Sequence, residues 1–305
     1  MLKEENIVAL KKILNTLKSD GYIIKKLDQY LLSINDKDED RRWDINSPSS
    51  AGSCPRGIVY SRLGYDSDYN SIDARTRRIF DNGTYTHIRL QDYLKNSGQL
   101  AMDEVPVFDD ELQMQGHTDG LLILNKYELG ILEIKSINDN GFKSLLDAKE
   151  EHKQQAQSYM YCLENRRQFL KKFTTVEELH SYLLSHDYEE FIRAHYKHIK
   201  DGTKYSAEEK IAFKIECHRQ ADQLLWNCSR PIDKMIFLYE NKNDQDIKEY
   251  TVRRNDEAIE DMKNKLTYIN KHVSEKKVPP RPQEATSKSC QHCRWCRFKT
   301  ECWVV

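Results

Sequence analysis

Residues 116–137 read GHTDGLLILNKYELGILEIKSI, and this stretch decides the fold class. Two runs rich in Leu and Ile are separated by the polar turn Asn125-Lys126, which predicts two buried strands joined as a hairpin. The preceding run LAMDEVPVF, residues 100–108, predicts a third strand, and residues 234–239 and 248–253 predict two more. The segments around these strands have helical periodicity, so we expect an α/β fold.

The chain is long enough to form its own core. Its 305 residues suffice for one large or two modest domains without help from disulfides. Hydrophobic residues make up 38% of the chain, and no run approaches the roughly 18 apolar residues of a membrane span. The start, MLKEENIVALKKIL, lacks the apolar core and the cleavage site of a signal peptide. We therefore expect a cytoplasmic protein with no membrane contact.

The sequence patterns divide the chain into four parts. Residues 1–50 are predicted to form a helical region, because apolar residues recur there at helical spacing. Two segments, 51–169 and 229–280, form a core that contains the predicted strands. Residues 170–228 are predicted to be a polar helical insertion, and residues 281–305 are predicted to form a C-terminal cysteine cluster, to which the Pro-rich connector VPPRPQEATSKS leads.

Glu133 and Lys135 are two residues apart, so on a strand both side chains point to one face. Burying a charge costs several kcal/mol unless the group is paired or binds a metal. A solvated edge strand is the usual explanation of an isolated E-x-K pattern. Here the hairpin would bring Asp119 beside Glu133, and two converging carboxylates suit Mg²⁺ or Mn²⁺. Lys135 could then orient or deprotonate an attacking water, which is the chemistry of phosphodiester hydrolysis.

Two further motifs lie where such a site could use them. In DNGTYTH, the residues Asp81-Asn82-Gly83 predict a break between helices, and His87 follows as a candidate imidazole ligand. A single histidine is more often structural than a ligand. Gln155 and Tyr159 are four residues apart on a helix predicted at 149–166, a spacing that any amphipathic helix shares.

The order of these motifs resembles that of the RecB-like branch of the PD-(D/E)xK nucleases. The chain has G-T-x-x-H at 83–87, G-x-x-D-G at 116–120, E-x-K at 133–135 and Q-x-x-x-Y at 155–159. One departure is Thr118, which stands where the family name implies proline. The resemblance implies a restriction-endonuclease-like core, in which a mixed central sheet is flanked by helices.

The same resemblance assigns roles to individual residues. It implies that Asp119, Glu133 and Lys135 are catalytic. The metal ligands would be His87, Asp119, Glu133 and the carbonyl of Ile134. Gln155, Tyr159 and Arg56 would contact DNA or support the site.

Four cysteines near the end have the spacing C-x2-C-x2-C-x5-C, at Cys290, Cys293, Cys296 and Cys302. Clustered thiolates bind soft metals, so either Zn²⁺ or an iron–sulfur cluster satisfies the spacing. In AddB-type and CRISPR-associated nucleases, which this chain resembles, one cysteine before the core and a C-terminal C-x2-C-x5-C hold a four-iron four-sulfur cluster. The resemblance implies that residues 281–305 close onto Cys54, with Cys293, Cys296 and Cys302 as the other ligands and Cys290 outside the set.

The net charge of −1 gives no global reason to bind nucleic acid, so DNA contact depends on local basic residues. The chain has no phosphate-binding loop motif, so unwinding would need a helicase partner, or the substrate is single-stranded DNA or a DNA end. The sequence favours a metal-dependent DNA exonuclease of recombination, repair, phage replication or CRISPR adaptation. The segment FLYENKNDQDIKEY resembles one found in phage-borne exonucleases. The alternative is a non-catalytic, metal-stabilised DNA-binding or interaction module.

Overall fold

The computed structural model describes residues 21–35, 44–67, 73–185, 206–290, 293–294 and 296–303. The chain divides into two compact units. The first unit comprises residues 1–41 and 69–84, and the second comprises residues 42–68 and 85–305. The first unit contains helix α1 (Tyr22–Asn35) and the start of helix α3 (Ala74–Asn96). Within it, Arg78 donates a hydrogen bond to Asp28. The helical periodicity predicted for residues 1–20 lies outside the described residues.

A five-stranded mixed sheet organises the second unit. Its strands follow one another in sequence order: β1 (Leu100–Asp109), β2 (Met114–Asn125), β3 (Glu128–Ile137), β4 (Lys234–Asn241) and β5 (Ile247–Arg253). Strands β3 and β4 pair in parallel, and the other neighbours are antiparallel. All five predicted strands are confirmed, because short apolar runs bounded by turn residues specify strands locally.

Helices flank this sheet. The helices outside α1 and α3 are α2 (Pro55–Arg62), α4 (Asp139–Lys143), α5 (Glu150–Leu170), α6 (Val176–Leu183), α7 (Ala207–Asn227), α8 (Asp256–Ser274) and α9 (Lys299–Trp303). The long helix α5 confirms the helix predicted at 149–166. No helix in the described part of the chain is long and apolar enough to cross a membrane.

The predicted helix break at Asp81-Asn82-Gly83 is wrong, because α3 continues through it. A glycine in a helix interior costs only about 1 kcal/mol relative to alanine. Local contacts offset part of this cost, since Arg77 forms an ion pair with Asp81 and Thr84 Oγ1 donates to the carbonyl of Phe80.

Strand β3 is buried on both faces. Ile131 belongs to the main core, which α5, α7 and α8 complete on one side of the sheet. Leu132 and Ile134 point to the other side, where they pack with Leu90 of α3. The strand that carries Glu133 therefore runs through the interior.

Helix α7, which lies in the segment predicted as an insertion, contributes to the main core. It buries Ile215, Ala221 and Leu225 and packs against α5 and β1. A buried ion pair between Arg166 and Asp222 connects α5 to α7. This part of the segment therefore stabilises the sheet that positions the candidate site.

Candidate active site

The Asp119 carboxylate lies where β2 and β3 separate. The two strands pair from Asn125 back to Gly120, which lies opposite Leu132. Beyond that point, Asp119 Oδ2 accepts the main-chain hydrogen bond of Ile134 at 2.5 Å. A Cβ atom on Gly120 would lie 2.7 Å from the carbonyl oxygen of Met102, so only glycine allows this close approach of β1. The local geometry thereby fixes the carboxylate at the edge of β3.

Glu133 is a buried carboxylate that is only partly compensated. Its Oε1 atom accepts hydrogen bonds from Lys135 Nζ at 2.6 Å and from Gln155 Nε2 at 2.8 Å. Its Oε2 atom is buried and has no hydrogen-bond partner among the described residues. Burial, with the charge of Asp119, raises the pKa of Glu133 to about 7, although Lys135 and Gln155 act in the opposite direction. A charged Glu133 therefore calls for a further positive partner.

His87 reaches the same place from α3. Its Nδ1 atom lies 3.2 Å from Asp119 Oδ1. Burial lowers the pKa of His87, but the hydrogen bond and charge of Asp119 outweigh this effect, and the pKa is raised overall. The structure thus brings together four of the sequence-predicted residues, His87, Asp119, Glu133 and Lys135.

Gln155 and Tyr159 support this arrangement from α5. Both are buried, and the Tyr159 hydroxyl donates to the carbonyl of His117 on β2 at 2.7 Å. Burial and the charge of Glu133 raise the pKa of Tyr159 well above its usual range, so the hydroxyl keeps its proton. Of the two roles predicted for this pair, their burial favours support of the site over contact with DNA.

Glu104 is a third acidic residue at the site, and the sequence patterns do not identify it. Gln91 Nε2 donates to Glu104 Oε1 at 3.1 Å and to the carbonyl of Asp119 at 2.8 Å. Desolvation of the carboxyl group and the charge of Asp119 raise the pKa of Glu104. Its φ of 47° is unusual for a residue other than glycine and turns β1 out of regular alternation. The acidic pair Asp103-Glu104 inside an apolar run is the signal that could have found it.

A second group that the patterns do not identify anchors α3 beside His87. Glu240 on β4 is buried and accepts hydrogen bonds from Arg89 and, at 3.4 Å, from Thr86 Oγ1. Thr86 and Arg89 flank His87 on the helix, so this contact holds the turn that presents the imidazole.

The cysteines predicted as cluster ligands line one cavity of about 330 Å³, namely Cys54, Cys293, Cys296 and Cys302. The main-chain N–H of Phe298 donates to Cys296 Sγ at 3.5 Å. Burial and the adjacent Cys290 thiol raise the pKa of Cys293 to about 11. Cys290 does not line the cavity, and its Sγ lies 3.6 Å from the carbonyl oxygen of Glu284.

Arg56 also lines this cavity and is used internally. Its guanidinium donates to the carbonyl of Pro279 and, at 2.7 Å, to the hydroxyl of Tyr60. These contacts favour support of the cysteine site over DNA binding.

Across the described residues, no three His, Cys, Asp or Glu side chains are arranged to hold a single ion.

Comparisons with known proteins give distant structural likenesses. No family model matches the chain, and no curated protein matches it. The chain is similar to the crystal structure of SSO0001, with 12% identity, a TM-score of 0.43, and coverage of 93% of this chain and 97% of that chain. It is also similar to an alkaline exonuclease, LHK-Exo, from Laribacter hongkongensis, with 12% identity, a TM-score of 0.42, and coverage of 81% and 93%. Neither likeness is close enough to assign a function.

Proposed function

We propose that this chain is a divalent-metal-dependent deoxyribonuclease with a PD-(D/E)xK type of active site, which hydrolyses phosphodiester bonds from DNA ends. The observation that carries the proposal is the buried Oε2 atom of Glu133, which has no hydrogen-bond partner among the described residues. The ammonium group of Lys135 lies 2.6 Å from Glu133 Oε1, and the negative charge of Asp119 acts on the same carboxylate. A buried anion without compensation costs several kcal/mol, and a hard cation is the partner that carboxylate oxygens suit.

The donor types suit Mg²⁺ or Mn²⁺, but no three of these side chains are arranged around a single ion in the described part of the chain, so the groups would have to reorient on binding. Asp119 and Glu133 supply carboxylate oxygens, His87 an imidazole and Ile134 a main-chain carbonyl, which together would hold the ion. A bound divalent cation polarises the scissile phosphate and lowers the pKa of a water molecule.

The protein side chains have distinct tasks in this reaction. Lys135, which is about a quarter exposed, presents its ammonium group to the attacking water and offsets negative charge on the phosphate. Gln155 holds Glu133 Oε1 at 2.8 Å and keeps the carboxylate oriented. Tyr159 fixes β2 through the carbonyl of His117, two residues from Asp119. The proposed work of α5 is therefore to keep the two acidic strands in place.

The proposal includes a four-iron four-sulfur cluster on Cys54, Cys293, Cys296 and Cys302. All four thiols line one cavity, as the ligands of a single cluster must. The four thiols come from both ends of the second unit, so cluster binding would add directly to its folding free energy. Zn²⁺ is the alternative occupant.

The substrate and setting follow from the same proposal. Single-stranded DNA or a DNA end suits a nuclease without a motor of its own, and a helicase, recombination or CRISPR adaptation partner would supply the substrate. Recombination, repair, phage replication and CRISPR adaptation remain the candidate settings.

The test is digestion of end-labelled single- and double-stranded DNA, with either end blocked, in Mn²⁺, Mg²⁺ or EDTA. We expect cleavage from an unblocked end in the presence of metal, and a loss of at least about 100-fold in Lys135→Ala. Lys143→Ala is the matched control, because Lys143 is exposed and forms an ion pair with Asp139 on the same short helix. Equal activity of Lys135→Ala and the wild type would refute this active site. Binding of DNA without cleavage by the wild type would favour the non-catalytic binding module.

A further inference from the structure

Helix α5 presents another polar residue next to the proposed active site. His152 lies one turn before Gln155, whose amide contacts Glu133, so His152 and Gln155 share a helix face. On the sheet, Tyr239 is the register neighbour of Lys135 in the parallel pair β3–β4. His152 Nδ1 lies 2.6 Å from the Tyr239 hydroxyl. His152 and Tyr239 therefore stand beside Lys135.

The hydrogen bonds around Tyr239 favour one tautomer of His152. The main-chain N–H of Lys149 donates to the Tyr239 oxygen at 3.3 Å, so the hydroxyl hydrogen is left to donate to His152 Nδ1. Burial raises the pKa of Tyr239 to about 12, so the hydroxyl keeps this hydrogen. Burial, with the charges of Lys135 and Lys149, lowers the pKa of His152 to about 3. The imidazole is therefore neutral, and this hydrogen-bond pattern favours the tautomer that carries its proton on Nε2.

The ring is also fixed in orientation. It stacks on Phe237 and on Tyr239, with ring centroids 5.8 and 5.6 Å away. Nε2 lies 4.0 Å from Glu151 Oε1, which is too far for a hydrogen bond. The side chain remains 15% exposed, so a rigid N–H donor can be reached next to Lys135.

We propose that His152 is a substrate-contacting residue, whose Nε2–H donates to a non-bridging oxygen of the DNA phosphate beside Lys135. Tyr239 is the positioning residue that holds the ring. This inference rests on the proposed nuclease function. Lys135 supplies charge, whereas His152 supplies a directed hydrogen bond that orients the phosphate without adding a second buried charge.

Two variants of His152 separate this role from a structural one. His152→Gln places an N–H donor near the position of Nε2, while His152→Asn places its polar end near Nδ1, where it can still accept from Tyr239. We expect kcat/KM on DNA to fall about 10-fold in His152→Asn and to stay within about threefold of the wild type in His152→Gln. If His152 only braces Tyr239, the order of the two variants reverses, and the inference is overturned.

A second readout makes the test independent of turnover. DNA affinity, measured by fluorescence anisotropy with Ca²⁺ where no cleavage is seen, should weaken in His152→Asn and be retained in His152→Gln. Thermal melting establishes that both variants are folded. A wild type that cleaves, with His152→Asn equally active, would refute the contact and leave the nuclease proposal standing. A wild type that cleaves no DNA in Mn²⁺ or Mg²⁺ would refute both.

Discussion

The carboxylate of Asp119 accepts the main-chain hydrogen bond of Ile134 at 2.5 Å through Oδ2, while its Oδ1 lies 3.2 Å from Nδ1 of His87. The Asp119 side chain thus contacts the main chain of β3 through one oxygen and the imidazole on α3 through the other. These two contacts can be separated experimentally, because an amide oxygen replaces a carboxylate oxygen as an acceptor but carries no charge.

We predict that Asp119→Asn stays folded but binds Mn²⁺ at least about 10-fold more weakly, since the amide keeps the Ile134 contact and loses the charge. Asp119→Ala should lose metal binding and, in addition, about 1–3 kcal/mol of unfolding free energy, because the Ile134 N–H loses its acceptor. Calorimetric Mn²⁺ titration and urea denaturation measure the two effects. Equal stability of the two variants would show that the Ile134 contact is not structural.

The second prediction concerns the pH dependence of stability without metal. The pKa of Glu133 in the folded chain is about 7, above its ordinary value of 4.5. Between these values the folded protein holds a proton that the unfolded chain has released, so the unfolding free energy falls as pH rises through this window. Glu133→Gln removes the titrating group. We expect it to be more stable than the wild type at pH 8 in EDTA, by on the order of 2 kcal/mol, and similar near pH 5.

Mn²⁺ provides the control for this prediction. Added metal should restore the stability of the wild type at pH 8, because the cation compensates the buried carboxylates, and should leave Glu133→Gln nearly unchanged. Urea denaturation from pH 5 to pH 8 gives both curves. A wild-type curve that is flat across this range would contradict the assigned cause.

The acidic and basic residues on β3 could be predicted from sequence because a strand has a period of two. Glu133 and Lys135 must share a face, and the short turn at Asn125-Lys126 returns the chain so that Asp119 approaches Glu133. These relationships depend only on local geometry. They needed no knowledge of the surrounding helices.

Other features depend on tertiary packing and could not be predicted in this way. Glu104 adopts a left-handed φ, and the register of β1 shifts earlier, between Leu100 and Met102; no local pattern specifies either irregularity. Gly83 indicates a helix break in the sequence, but α3 continues through it, with local contacts beside Gly83 and with Leu90 packed on the sheet. The sequence did not predict that α7 contributes to the core, because most of its residues are polar and its buried residues Ile215 and Leu225 are widely spaced.

The third prediction tests Glu104. Glu104→Gln keeps an acceptor for Gln91 but removes a negative charge close to Asp119. One nearby negative charge contributes about 1 kcal/mol to the binding free energy of a cation, so we expect Mn²⁺ affinity to fall roughly fivefold. Asp103→Asn is the matched control, because Asp103 is the adjacent carboxylate and lies 3.6 Å from Lys95 at the surface. Loss of affinity in both variants to the same extent would indicate a general effect of charge.

The last prediction separates the cysteine ligands from their neighbour. Cys290 and Cys293 lie in the same short segment and their thiols are adjacent, but only Cys293 lines the cavity with Cys54. We therefore expect anaerobically purified Cys293→Ser to lose its brown colour and its iron, and to melt at a lower temperature. Cys290→Ser should keep all three properties, because metal ligation adds to the folding free energy only through the ligands themselves.

The outcome also distinguishes the two metals. A colourless wild type that contains zinc, and loses it in Cys293→Ser, would replace the iron–sulfur proposal with a zinc site on the same thiolates. Loss of iron in Cys290→Ser but not in Cys293→Ser would contradict the proposed ligand set and show that Cys290 is the ligand. The two substituted cysteines are only three residues apart in the sequence. A general disturbance of this segment should therefore reduce the iron content of both variants, whereas loss of a ligand should reduce it only in Cys293→Ser.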